Sequence, residues 1–342
     1  MTTPISAVLV WNTRLPSPTR IQIRRADEPE SKGNSWRNLQ ADPLAKLQHI
    51  VFLKDLIPAY KYLYRVGDDQ KILAQGVFET AKPAGQPFRV AVWGDSGVDS
   101  RGQKKLAAQI DKVNPNLLLH TGDLIYPAGE TKLFDPNFFS IYRPTLARVP
   151  FYGALGNHDI DTHNGAPFLQ NFVFPRNGPS QVQPERCFSF DYSDAHIAIL
   201  DSNLEAQALV GPVARWLQAD MSASKRIWKL VVFHHPPFSD GLHGDEPRTQ
   251  ALMPLFSRLK IDLVLNGHDH MYERSKPING VIYLVTGAGG APRYPRRRNR
   301  GGLESFENRV FSFTQLDFGG RKLQARQIDE NGRVLDTWIL SK

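Results

Sequence analysis

Five apolar segments of this 342-residue chain stop at a glycine or a histidine pair, with hard oxygen or imidazole donors just beyond. Residues 88–93 run into Gly94-Asp95, and 117–121 run into Gly122-Asp123, with Tyr126 three positions on. Residues 151–155 run into Gly156-Asn157-His158-Asp159, 230–233 into His234-His235, and 262–265 into Asn266-Gly267-His268-Asp269-His270. Open α/β sheets bind ligands at the carboxyl ends of their strands, so these loops are expected to converge. Carboxylate, phenol, amide oxygen and imidazole suit divalent or trivalent first-row metals, and the single cysteine, Cys187, lies outside the loops. A catalytic zinc typically takes about three protein ligands and a water. The larger donor set is read more economically as two metals.

The motifs Gly94-Asp95-Ser96-Gly97, Gly122-Asp123-Leu124-Ile125-Tyr126, Gly156-Asn157-His158-Asp159, Val231-Val232-Phe233-His234 and Gly267-His268-Asp269-His270 resemble, in order, the five-block signature of purple acid phosphatases. These lie within the calcineurin-like metallophosphoesterases, and Tyr126 points to the purple subgroup. The resemblance implies an Fe(III) ion held by Asp95, Asp123, Tyr126 and His270. It also implies a second, divalent ion (Zn, Mn or Fe) held by Asp123, Asn157, His234 and His268, with Asp123 bridging. A shared carboxylate offsets repulsion between two cations ~3.5–4 Å apart. A phenol becomes anionic more readily on a trivalent ion, which is why Tyr126 implies iron(III). The implied reaction is hydrolysis of a phosphate monoester by in-line attack of a metal-activated hydroxide. His158 corresponds to the family's proton donor to the leaving alkoxide, a task that suits imidazole. His243, nine residues after His234, resembles the outer histidine that contacts substrate phosphate.

The remaining histidines read more plainly. His120, inside an apolar run, and His235, beside a ligand, are expected to pack or to support ligands, and His49, His163 and His196 carry no motif. Asp159 and Asp269 fall within motifs that assign them no metal, and a hydrogen bond to a ligand histidine is the expected role. Asp201 and Cys187 read as structural. The run from Arg293 to Arg300 reads as a solvated basic loop. Should it share the rim of the metal loops, its arginines would engage further phosphates.

The elements that must position these residues divide in two. Residues 1–82 alternate in twos, as at Ile21 and Ile23 and at Tyr60, Tyr62, Tyr64 and Val66, with turn signals at Pro16-Ser17-Pro18, Lys32-Gly33-Asn34 and Gly67-Asp68-Asp69. This predicts a small all-β sandwich. Leu56-Ile57-Pro58 followed by Tyr62 resembles the tyrosine corner of fibronectin type III domains, the N-terminal domain type of many purple acid phosphatases. In that register the first strand is missing ahead of Val8, as it would be if upstream residues, an export signal among them, lay outside this sequence. Residues 83–87 form a Pro/Gly linker, and 88–342 alternate strands with helical patterns at 103–113, 212–221 and 249–259. Further strands are expected at 196–200 and 281–286, with hairpins at Gly319-Gly320 and Asn331-Gly332. The resemblance implies an αββα sandwich for this α/β catalytic domain.

Hydrophobic and charged residues make up 41% and 22% of the chain, as in ordinary globular proteins. No apolar run approaches the ~18–20 residues of a membrane span, and no signal-peptide pattern opens this numbering. One cysteine allows no intrachain disulfide and does not fix the compartment. Net charge of +8 favours anionic partners, here a small phosphate ester, with no nucleic acid or membrane expected and the oligomeric state open. Two further readings stand beside the monoesterase: a phosphodiesterase of the same superfamily, and a noncatalytic phosphate-binding or adhesive protein.

Overall fold

Alternation of Ile21 with Ile23, and of Tyr62, Tyr64 and Val66, turns those side chains inward, where all five are buried. The computed structural model describes residues 2–28, 36–40, 42–67 and 71–342. The turn signals at Lys32-Gly33-Asn34 and Asp68-Asp69 lie outside them. Here β1 (Thr2–Thr3), β2 (Ser6–Ser17), β3 (Arg20–Arg25), β4 (Arg37–Gln40), β5 (Lys46–Leu53), β6 (Lys61–Gly67) and β7 (Ile72–Glu79) form two antiparallel sheets, ordered β1-β2-β5 and β4-β3-β6-β7. Both contribute to one apolar cluster, through Ala7 and Leu53 on one side and Ile21, Tyr62 and Phe78 on the other. The hydroxyl of Tyr62 accepts the Ile57 N–H at 3.0 Å, closing the corner that the sequence suggests. A two-residue strand, Thr2–Thr3, pairs with Ala7 and Ser6 ahead of Val8.

Beyond residue 82 the chain builds two sheets face to face. One is ordered β10-β9-β8-β18-β19-β20, with β8 (Phe88–Trp93), β9 (Leu117–His120) and β10 (Phe151–Gly153) parallel, and β18 (Ser312–Gly319), β19 (Lys322–Asp329) and β20 (Val334–Ser341) antiparallel. The other is ordered β11-β12-β13-β14-β16-β15-β17, from β11 (Phe188–Tyr192), β12 (Ala195–Ile199), β13 (Trp228–Val232), β14 (Leu263–Asn266), β15 (Tyr272–Ser275), β16 (Ile282–Thr286) and β17 (Leu303–Glu307). Within it β12, β13, β14 and β16 run parallel. Their residues alternate between two clusters. Ile197, Leu230, Leu263 and Leu284 meet the opposite sheet, while Ala198, Val231, Val264 and Tyr283 meet Leu217 and Phe256 of the covering helices. Leu106 and Ile110 of helix Arg101–Lys112 cover the six-stranded sheet. The result is an αββα sandwich.

The pattern expected at 249–259 splits into helices Pro247–Gln250 and Met253–Arg258, the second opening at Pro254, which has no N–H to continue the first. The segment at 81–87 is fastened to the turn after β11: Gly85 N–H donates to Asp194 (2.8 Å) and Ser193 Oγ to Gln86 O (2.6 Å). Tyr64 of the small domain donates to Ala147 O of the sandwich at 2.8 Å. Among the described residues no helix is long and apolar enough to cross a membrane.

Candidate metal centre

Parallel strands β9, β8 and β10 end side by side, as do β13 and β14, so all five donor loops leave one edge of the sandwich. The backbone is strained there. Asp95, Asp123 and His268 hold φ of 58°, 55° and 70°, a region that costs L-residues energy and recurs at functional sites. Gly122 has φ of 104°, and a Cβ on it would lie 2.6 Å from His234 Nδ1. A Cβ on Gly156 would strike Asp123 Oδ1 at 2.0 Å. Both glycines therefore let one loop approach the next.

Donor atoms meet in two groups. Tyr126 Oη lies 3.0 Å from Asp123 Oδ2, 3.3 Å from Asp95 Oδ1 and 3.0 Å from His270 Nε2. His234 Nε2 lies 3.3 Å from the same Asp123 Oδ2 and 3.0 Å from Asn157 Oδ1, which His268 Nδ1 also meets at 3.0 Å. Ligands ~2.1 Å from one ion at right angles stand ~3 Å apart, so both groups have the spacing of a coordination sphere. Asp123 Oδ2 belongs to both, and Asp123 Oδ1 is occupied by the His158 N–H at 2.9 Å. Two imidazoles are oriented by backbone carbonyls: His234 Nδ1–H donates to Thr121 O (3.0 Å) and His270 Nδ1–H to Pro292 O (2.6 Å). Each thereby turns its Nε2 lone pair toward the carboxylates.

Electrostatics test whether these residues fit cations. Asp95, Asp123 and His234 are fully buried together, with one donor atom each within 4.8 Å of the others. Burial would lower His234, yet the Asp123 and Asp95 carboxylates hold it up at about 9. Burial drives Asp95 up, whereas Asp123, equally buried, is held down by His234. Such a pocket selects positive charge, and its donor set fits hard or borderline metal ions. Burial, then Asp95 and Asp123, push the Tyr126 phenol up, so it becomes a phenolate donor only against the positive charge of a bound ion.

The outer residues depart from expectation in several places. Among the described residues the Asp159 carboxylate bonds no histidine. It accepts the N–H groups of Leu124 (2.9 Å), Ile125 (3.2 Å) and Gly156 (2.9 Å), tying the Asp123 loop to the Asn157 loop. Asp269 accepts from Ser239 Oγ (2.6 Å), and its Oδ1 meets both the N–H and Nδ1 of His243. It thus supports the outer histidine and no ligand of the first two groups. His243 packs against His268 with ring centroids 4.2 Å apart and planes tilted by 32°, and His158 against Tyr126 at 4.4 Å and 44°, so both imidazoles border the donor cluster. His120 bonds Ser96 Oγ at 3.0 Å, and burial pushes it down to about 3. His235 pairs with Ser202, and burial followed by His234 pushes it down to about 2. It also forms a further close group with His234 and His268. Asp201 holds Arg186 at 2.6 Å, and burial pushes the Cys187 thiol up to about 12, both structural as expected.

The arginine segment is not simply solvated. Arg296 Nη2 (2.9 Å) and Arg300 Nε (2.8 Å) grip Asp240, whose side chain is wholly buried, and Arg300 also holds Asp245 at 2.7 Å. The N–H groups of Arg297 and Arg298 cap Asp240 O at 3.0 Å each. Arg296 and Arg300, each about a third exposed, are therefore engaged by the protein's own carboxylates and strap the loop that carries His243. The same segment delivers Tyr294, a residue without any motif, onto His270, with ring centroids 4.0 Å apart. Only its place after the Gly287-Ala288-Gly289-Gly290 break hinted that it turns toward the strand-end rim.

The family model for calcineurin-like phosphoesterases matches residues 88–272, more than half of the chain and all five donor loops. The chain belongs to the calcineurin-like phosphoesterases. This phosphoesterase chain is 22% identical over 98% of its length to human acid phosphatase type 7, 88% of which is covered. It is 29% identical over 81% of its length to purple acid phosphatase 21 of Arabidopsis thaliana, covering 65% of that protein. Among solved structures it superposes on a purple acid phosphatase from yellow lupin (Lupinus luteus) seeds with a TM-score of 0.86, at 20% identity, over 99% of this chain and 72% of that one. That likeness spans the small β domain as well as the sandwich.

Proposed function

We propose that this phosphoesterase is a binuclear-metal phosphatase of the purple acid type that hydrolyses phosphate monoesters. The observation that carries the reading is the single oxygen, Asp123 Oδ2, that closes both donor groups. Asp95, Asp123, Tyr126 and His270 would hold Fe(III), and Asp123, Asn157, His234 and His268 a divalent Zn, Mn or Fe ion. When bound, the ions act as Lewis acids on the phosphoryl oxygens and lower the pKa of a coordinated water.

The chain's own residues supply the rest. His158 donates its Nδ1–H to Pro127 O at 2.5 Å, which leaves Nε2 to hold the proton passed to the leaving oxygen. His243, fixed through Nδ1 by Asp269, presents Nε2 to a phosphoryl oxygen. Buried apolar side chains behind β8, β9 and β14 keep water from the rear of the site.

The test is metal analysis with a visible spectrum on purified protein, followed by kinetics on p-nitrophenyl phosphate and bis(p-nitrophenyl) phosphate. About two metals per chain with iron and a visible band, and a higher kcat/KM for the monoester, are expected. Preference for the diester would favour the phosphodiesterase reading. Absence of turnover after metal loading would favour a noncatalytic phosphate binder.

A further inference from the structure

Tyr294 occupies a position that packing alone does not account for. Its ring lies flat against His270, with centroids 4.0 Å apart and planes 14° apart, and presents an edge to His243 at 5.2 Å and 78°. It therefore spans the gap between an inner donor histidine and the outer histidine. The backbone around it is tied down on both sides: Asn308 Nδ2 donates to Tyr294 O at 2.9 Å, and Pro292 O accepts from His270 at 2.6 Å. Arg296, two residues on, begins the grip on Asp240. The ring is half-buried yet belongs to none of the three apolar clusters. Among the described residues its hydroxyl makes no hydrogen bond, and it is open to solvent, so a ligand entering the site can reach it. That hydroxyl lies in the field of Asp95, Asp123 and Asp269.

We propose that Tyr294 contacts substrate: its hydroxyl donates a hydrogen bond to a nonbridging oxygen of the bound phosphoryl group, on the side of the site between His243 and His270. The assignment rests on the phosphatase reading above. A bound phosphate carries several anionic oxygens, and each hydrogen bond lost from water must be replaced by a donor of the site. Tyr294 is such a donor, and its fixed ring loses little rotamer freedom on binding. A bond to an anionic oxygen is charge-assisted, and its removal weakens binding by about tenfold or more.

The experiment compares metal-loaded parent, Tyr294→Phe and Tyr294→Ala in three measurements: bound metal, calorimetric Kd for orthophosphate, and kcat and KM for p-nitrophenyl phosphate. In Tyr294→Phe, metal content is expected to match the parent, the orthophosphate Kd to rise about tenfold, and KM to rise with it while kcat changes little. Tyr294→Ala should weaken phosphate at least as much. A Tyr294→Phe variant with the parent's Kd overturns the contact and leaves the ring as a packing partner of His270. Metal loss in Tyr294→Phe overturns it too, because the residue would then be supporting a ligand. A parent that binds orthophosphate without hydrolysing the ester refutes the phosphatase reading, while the Kd comparison still decides Tyr294. A parent without affinity for orthophosphate overturns both.

Discussion

Asp123 divides its two oxygens between tasks: Oδ1 takes the His158 N–H, and Oδ2 faces Tyr126 and His234. Asp123→Asn keeps a side chain that tolerates the φ of 55° found there, but removes the anionic bridge. Bound metal should fall below two per chain, and kcat/KM should fall by more than the ~10–100-fold typical of a ligand's supporting partner. Metal analysis alongside kinetics checks both, and a variant with two metals and parental turnover would remove the bridging role. Tyr126→Phe separates colour from binding. Asp95, Asp123 and His270 remain as donors, so iron should stay bound while the visible band disappears, which absorption per mole of iron measures. An unchanged band would mean that the phenol is not the chromophore's ligand. His158→Ala should retain both metals and slow alkyl phosphates far more than nitrophenyl phosphate, since only the poorer leaving group needs the proton.

At the scale of elements, the loop from Ser239 to Asp245 is held by a segment that lies 60 positions further along the chain. Burial would raise Asp240, but Arg296 and Arg300 hold its carboxyl below the usual range. This stabilisation is present above the ordinary carboxylate pKa and is lost as pH falls through the lowered folded value. Asp240→Ala leaves two guanidiniums, each about a third exposed, without their shared anionic partner. A lower Tm is expected, together with a higher KM for monoesters, because His243 and Tyr294 both ride on the strapped segments. Metal content should hold, since none of the proposed ligands belongs to either segment. A lower Tm with an unchanged KM would show that the strap serves folding alone.

Across the whole molecule, His196 joins three elements. It stands on β12, with Nδ1 2.7 Å from Asp191 of β11 and Nε2 2.8 Å from Asp220 of helix Ala214–Ala223. Burial would lower it, but the two carboxylates outweigh burial and raise it to about 9. A folded value above the unfolded one means that the stabilisation is complete below pH ~6.5 and is lost as pH rises through about 9. The Tm difference between parent and His196→Gln should therefore be widest at pH 6 and narrow steadily by pH 9.5. A gap independent of pH would exclude the charged bridge. The contribution is on the order of 3 kcal/mol.

What the sequence determined by itself is local: which residue types follow each apolar run, and where glycine must stand. The donors of all five loops and the order of strands and helices were legible there, because a strand-end motif keeps its ligand within a few residues of its glycine. Asp159 shows the limit, since its place in a ligand motif suggested a histidine partner, while the folded loops bring it three backbone N–H groups instead. Tyr294, the Asp240 strap and the His196 bridge were not legible. Their partners come from distant segments, and only the stacking of two sheets decides which side chains face each other. The shared role of Asp123 Oδ2 is likewise a tertiary fact, because sequence specifies a carboxylate and only packing decides which oxygen is left free to face both groups.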